Sequence, residues 1–371
     1  MNASREKILI RGVNWLGDAV MSTPALQRLR EAKPNAQITL LTDEKLADLW
    51  RDHPAIDSVL TFAKNESAWQ VGQKLRREKF DVGLALPNSH RSVIELWLAR
   101  IPQRVGYSRP LRNPFLTQSI PSRESAVEMK KRSLAEINRL NAESKPLARE
   151  IFSASAHHIY QYLHLVAALG AKPDSIAPQL VVSEKVVSAF RARLNEISSS
   201  QTSLWLGLNP GAEYGPAKRW PTERFIAAAL EVHQKTNCGW IIFGAKDSAT
   251  GQVAEELERK LGRNFAANFS GKTTLRELCA GLKFCKLVLT NDTGPMHVAA
   301  ALGTPVVVPF GSTSAELTGP GLPGNNYHAL LKSSVPCAPC FLRECPIDFR
   351  CMKSIEVGQV AEACLNVLKN L

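Results

Sequence analysis

Along the whole chain, short apolar runs alternate with longer segments whose apolar residues return every three or four positions. In the first half the runs are ILIRGV (8–13), QITLLTD (37–43), SVLTFA (58–63) and FDVGLALP (80–87), separated by patterns such as STPALQRLREAK and SAWQVGQKLRREK. Strands joined by helices predict βαβ units and a parallel sheet. After the helical pattern HHIYQYLHLVAALG and the linker-like AKPDSIAPQL (171–180), a second series follows: LWLGLNPG (204–211), GWIIFGA (239–245), KLVLTND (286–292) and PVVVPFG (305–311). Their near-continuous Val, Ile and Leu content predicts strands buried on both faces. The expected fold is α/β: two Rossmann-like domains, residues 1–180 and 181–353, with ligands in a central cleft at their strand ends, and a closing helix over 354–371.

Composition keeps this picture and narrows the class. The 371 residues are 44% apolar and 22% charged, an ordinary globular balance that suits two domains. No run approaches the roughly 20 apolar residues of a membrane-spanning helix, and the N-terminus lacks a secretory cleavage pattern, so a cytoplasmic protein is expected. Of the net charge of +12, the first 180 residues carry +8, from 26 basic against 18 acidic side chains. Between Arg100 and Arg132, eight basic residues face only Glu124 and Glu128. That excess reads either as a solvated face or as a site for an anionic partner: a phosphorylated ligand, an acidic membrane surface or nucleic acid. Few aromatics are interleaved there, chiefly Tyr107 and Phe115, which argues against nucleic acid.

Three motifs sit where strands hand over to helices. In GVNWLGD, Gly17 admits close approach to the main chain, while Asp18 suits either a helix cap or a general base. The stretch is not a G-x-G-x-x-G dinucleotide fingerprint. In NPGAEYGPAKRWP (209–221), a Gly- and Pro-rich loop ending in Lys218 and Arg219 has the parts of a diphosphate cradle. In TNDTGPMHVAAALGTPVV (290–307), Asp292 or Thr293 is placed to cap a helix with Pro295 in its first turn. The free N–H groups there form an anion site, and His297 is positioned to join it.

Taken in order, GVNWLGDAVMSTPAL, LPNSHRS, NPGAEYGPAKRWP and TNDTGPMHVAAALGTPVV resemble glycosyltransferase family 9, over roughly residues 7–312. The resemblance implies a GT-B fold, with an N-terminal acceptor domain and a C-terminal domain for ADP-heptose. It implies Asp18 as catalytic base and Lys218 at the donor phosphates. Glu213 and Tyr214 then fall on the phosphate-side loop, and Asp292, Thr293, Gly294 and His297 form the diphosphate turn. The implied reaction is inverting transfer of L-glycero-D-manno-heptose from ADP-heptose to heptosyl-Kdo2-lipid A of the lipopolysaccharide inner core, with no cofactor required for catalysis. Arg104, Arg109 and Arg112 become candidates to hold the acidic lipid A-core acceptor at the inner membrane surface. Alternatives are a family member with another acceptor and a nucleotide-sugar-binding protein without transfer chemistry.

Four of the eight cysteines crowd into CAPCFLRECPIDFRC: Cys337, Cys340, Cys345 and Cys351. Four thiols at this spacing are expected to enclose a structural zinc or iron ion, with a reduced loop and a redox disulfide as alternatives. No catalytic part is expected of them, since they lie beyond the donor motifs.

Overall fold

The computed structural model describes residues 5–142, 152–198 and 202–371. Among the described residues, twelve strands form two six-stranded sheets. The first holds β1 (Lys7–Arg11), β2 (Gln37–Asp43), β3 (Ser58–Phe62), β4 (Val82–Ala85), β5 (Gln103–Tyr107) and β6 (Gln118–Ile120) in the order β3-β2-β1-β4-β5-β6. The second holds β7 (Trp205–Asn209), β8 (Gly239–Ile242), β9 (Ala266–Asn268), β10 (Val288–Thr290), β11 (Val306–Phe310) and β12 (Ala329–Lys332) in the order β12-β11-β10-β7-β8-β9. Every pairing in both sheets is parallel. Each sheet therefore starts with a central strand, winds outward, then returns to that strand's other side and winds the opposite way. The reversal lies between β1 and β4 in one sheet and between β7 and β10 in the other. Loops at the carboxyl ends of those strands are where doubly wound sheets bind ligands.

The chain divides into two compact units, Met1–Ala126 with Ser155–Val181, and Val127–Ala154 with Val182–Leu371. Residues 127–154 thus group with the second unit, although they precede the boundary expected near 180. The closing helix, Val357–Lys369, packs on the helix Thr222–Thr236 and is part of the second unit's core.

Burial explains why the central strands were legible. Ile8, Leu9 and Ile10 of β1 and Val306, Val307 and Val308 of β11 are inaccessible to solvent. One buried ion pair bears directly on the loop after β1. Arg11 Nε meets Glu95 Oε2 at 2.8 Å, and its Nη1 donates to the Gly12 carbonyl and to Asn14 Oδ1 at 3.0 Å. Burial pulls the Arg11 pKa down, and Glu95 holds the guanidinium charged against that pull. The pair fastens the start of the segment that carries Asp18.

Candidate functional site

In the first unit, Leu16–Met21 forms a short helix directly after β1, with Trp15 as N-cap in extended geometry and no side-chain cap bond. Asp18 lies inside the first turn, so its carboxylate is not the cap that its position suggested. It lies beside the helix Ile159–Ala167 instead. Tyr162 hydrogen-bonds Asp18, and burial together with that carboxylate holds the phenol pKa well above its ordinary value. His158 Nδ1 stands 3.8 Å from Asp18 Oδ1. Residues 158 and 162 are one helical turn apart and so share a face. That helix is fixed by Tyr107, whose hydroxyl donates to the Gln161 carbonyl at 2.7 Å, and by packing on the helix Thr23–Ala32. His158 and Tyr162 were missed by sequence reasoning; their only signal was an i, i+4 spacing of polar tips in an apolar helix.

In the second unit, the loops after β7 and β10 are stitched together by Asn291, which has no solvent exposure. Its Nδ2 donates to the Pro210 carbonyl at 2.7 Å, and its Oδ1 accepts from the Trp220 N–H at 2.9 Å. This brings Lys218 Nζ to 2.6 Å from Asp292 Oδ2, and Thr313 Oγ1 donates to the same oxygen at 2.6 Å. Lys218 also lies 4.9 Å from the Tyr214 ring centroid. Thr293 is the N-cap of the helix Gly294–Ala301, with Pro295 in the first turn, and its hydroxyl makes no cap bond. The N–H of Gly294 and the dipole of this helix add positive potential beside Lys218. His297 is buried on the same helix, and Glu213 is exposed.

Residues 68–349 match the sequence model of glycosyltransferase family 9 (heptosyltransferase). The chain belongs to glycosyltransferase family 9. It is 30% identical to lipopolysaccharide heptosyltransferase 2 of Salmonella typhimurium over 85% of each chain. It is 27% identical to a Campylobacter jejuni lipooligosaccharide heptosyltransferase 2 over 98% of this chain and 99% of that one. The solved structure of E. coli ADP-heptose lps heptosyltransferase II superposes with a TM-score of 0.76 at 25% identity, over 98% of this chain and 99% of that one. The α/β architecture is thus that of a GT-B glycosyltransferase, as the motifs implied.

The cysteine segment of this family 9 chain corrects one expectation and adds a finding. Cys337, Cys340, Cys345 and Cys351 line a cavity of about 10 Å³ with Ile137 and Arg350. Among the described residues, however, no three His, Cys, Asp or Glu side chains are disposed to hold a metal ion, so the zinc or iron site is not supported. Burial raises the pKa of Cys337 and Cys340 and pushes Cys351 up to about 12. The segment does reach the loop after β7. The Phe341 carbonyl accepts from the Tyr214 hydroxyl at 2.9 Å, and the Arg343 carbonyl accepts from the Ala217 N–H at 3.0 Å.

The three arginines do not act alike. Arg104, near the amino end of β5, donates to the Phe115 and Ile101 carbonyls and serves the fold. Arg109 is exposed. Arg112 has no solvent exposure; its Nη1 donates to Asn88 Oδ1 at 3.3 Å, while Nε and Nη2 have no hydrogen-bond partner. Burial, with Arg109 nearby, lowers its pKa to about 10.

Proposed function

We propose that this enzyme transfers L-glycero-D-manno-heptose from ADP-heptose to heptosyl-Kdo2-lipid A, with inversion at the anomeric carbon. One observation carries the reading. Asp18 and the Lys218–Asp292–Thr293 group each occupy the strand-order reversal of their own sheet, in a chain aligned over 85% or more with relatives named heptosyltransferase 2. Asp18, released from capping and hydrogen-bonded by Tyr162, takes the proton from the acceptor hydroxyl as its oxygen attacks the anomeric carbon. ADP departs from the opposite face. Lys218 and the helix start at Thr293 and Gly294 meet the charge that develops on the leaving diphosphate.

The acceptor carries carboxylates and phosphates, and the exposed Arg109 is the cation proposed to receive them; Arg112, wholly buried, does not reach the surface. Among the described residues, no helix is long and apolar enough to cross a membrane. Contact with the lipid acceptor is therefore assigned to peripheral association at the cytoplasmic face of the inner membrane, supported by the basic excess of residues 100–132.

Incubation with ADP-heptose and either Kdo2-lipid A or heptosyl-Kdo2-lipid A, read by mass spectrometry, tests the reading. The expected result is addition of one heptose to the heptosylated acceptor, lost in Asp18→Asn. Use of Kdo2-lipid A alone would favour a first-heptose transferase, and ADP-heptose binding without transfer would favour a binding protein.

A further inference from the structure

Two adjacent histidines open the helix Ile159–Ala167, and the fold uses them differently. His157 is 1% exposed, and its Nδ1 accepts from the Ile159 N–H at 3.3 Å, so it serves the start of the helix. His158 is the N-cap residue, yet its side chain makes no cap bond. Its Nδ1 is shut off from solvent without a hydrogen-bond partner and lies 3.8 Å from Asp18 Oδ1. The side chain as a whole remains 25% exposed. A buried nitrogen without a partner is costly, and closing the gap to the carboxylate by about 1 Å gives an ordinary hydrogen bond. Both residues belong to the first unit.

We propose that His158 completes the base by acting through Asp18: its Nδ1 receives the proton that the carboxylate removes from the acceptor hydroxyl. The inference rests on the reading of Asp18 as base and extends it to the fate of the proton. As the acceptor oxygen attacks, its O–H bond breaks toward Asp18 and its bond to the anomeric carbon forms. The electron pair of the cleaved glycosyl bond leaves with ADP. The neutral carboxyl then passes its proton to the His158 imidazole, which becomes imidazolium beside the restored carboxylate. Through the exposed part of the ring the proton returns to water.

The chemistry of the two groups favours this direction. In water an imidazole holds a proton roughly four-hundredfold more tightly than an aspartate carboxyl, from ordinary pKa values of about 6.5 and 3.9. An aspartate alone would hold the sugar proton weakly and return it. Tyr162 does not fill this part, because its phenol donates to the carboxylate, and burial with that charge beside it keeps the O–H intact. The two neighbours of Asp18 thus divide the work: Tyr162 steadies the carboxylate before the proton arrives, and His158 takes the proton afterwards.

Transfer kinetics of the full-length protein with ADP-heptose and heptosyl-Kdo2-lipid A, in wild type, Asp18→Asn, His158→Ala and His158→Gln, test the assignment. His158→Ala is expected to lose about tenfold in kcat with acceptor KM changed by less than about twofold, a smaller loss than removal of the base itself. Free imidazole should restore most of that loss and leave wild type and Asp18→Asn unaffected. Gln keeps an amide that hydrogen-bonds Asp18 but binds no proton, so His158→Gln should lose as much as His158→Ala. Should His158→Ala fail to fold by its melting curve, His158→Gln decides alone. Wild-type kcat in His158→Gln overturns the proposal, as does a loss in His158→Ala that imidazole leaves untouched or that lies wholly in acceptor KM. When Asp18→Asn is impaired, these outcomes overturn the relay alone. Wild-type kcat in Asp18→Asn, or a wild type without transfer, overturns the reading of Asp18 as base and the relay with it.

Discussion

Lys218 Nζ and Asp292 Oδ2 are 2.6 Å apart at the carboxyl edge of the second sheet, and the Asp292 side chain is only 3% exposed. A carboxylate this buried beside a proposed diphosphate site would repel the ligand if it stood alone. Lys218 neutralises it, and Thr313 holds the same oxygen in place. The pair thus keeps the turn receptive to an anion.

Removing one partner should show both roles. Lys218→Met leaves the Asp292 charge buried with Thr313 as its donor, and stability to denaturant is expected to fall by about 3 kcal/mol. ADP affinity should fall roughly tenfold to a hundredfold with the lost charged contact. Lys218→Met combined with Asp292→Asn should recover the stability and not the affinity. A single variant as stable as wild type would show that the buried charge needs no counterion.

Asp18 and Tyr162 make a second coupled pair. Asp18→Asn should lower kcat by about a thousandfold, the scale of a lost general base, with ADP affinity unchanged. Tyr162→Phe removes the donor that orients the carboxylate, so kcat is expected to fall about tenfold while KM for the acceptor moves little. Steady-state kinetics with a heptosylated acceptor distinguish the two roles. If Tyr162→Phe keeps wild-type kcat, the phenol serves packing alone.

The parts of this fold that the sequence announced are those whose burial is continuous. The runs at 8–13 and 305–311 are solvent-inaccessible through their middles, and nothing but a central parallel strand accounts for them. Of the strands that escaped notice, β6, β9 and β12 lie at sheet edges, and β5, though interior, is buried only over its last three residues. Their sequences, QRVGY, QSI, AAN and ALLK, lack a long apolar signature because only part of each faces a core. The motifs placed Lys218 and Asp292 in separate loops. Their contact spans 74 residues and depends on Asn291, whose neighbours no local pattern reveals. The cysteine spacing suggested a metal cage, yet its main chain braces Tyr214 and Ala217.

Two histidines should govern acid stability. Burial lowers the pKa of His53, in the first unit, and of His328, in the second, to about 4; for His328 the neighbouring His297 adds to the shift. Both are neutral in the fold and take up a proton more readily when unfolded, near pH 6.5. The unfolded state therefore binds more protons between these values, and stability declines as pH falls from about 6.5 to 4. Each site should contribute about 3 kcal/mol to that decline. Urea denaturation of His53→Gln and His328→Asn across this window should give shallower slopes, additive in the double variant because the sites are in different units. A slope unchanged in both variants would place the acid sensitivity elsewhere.

Gly215 couples the loop after β7, the proposed donor loop, to the cysteine segment. A Cβ at this position would meet the Arg343 carbonyl oxygen at 2.4 Å, a contact only backbone movement can relieve. Gly215→Ala should therefore push residues 341–343 away, breaking the Tyr214 and Ala217 hydrogen bonds and loosening Lys218 through the Tyr214 ring it faces. The expected loss of stability is roughly 1–3 kcal/mol, with weaker ADP binding. Thiol labelling reads the displacement directly. In the native protein Cys345 is the partly exposed member of the four, and Cys337, Cys340 and Cys351 are buried. Only Cys345 should react before unfolding in wild type, whereas Gly215→Ala should open at least one buried thiol to the reagent under native conditions. Wild-type labelling together with weakened ADP binding would mean that the strain is absorbed by the donor loop and that the cysteine segment stays in place.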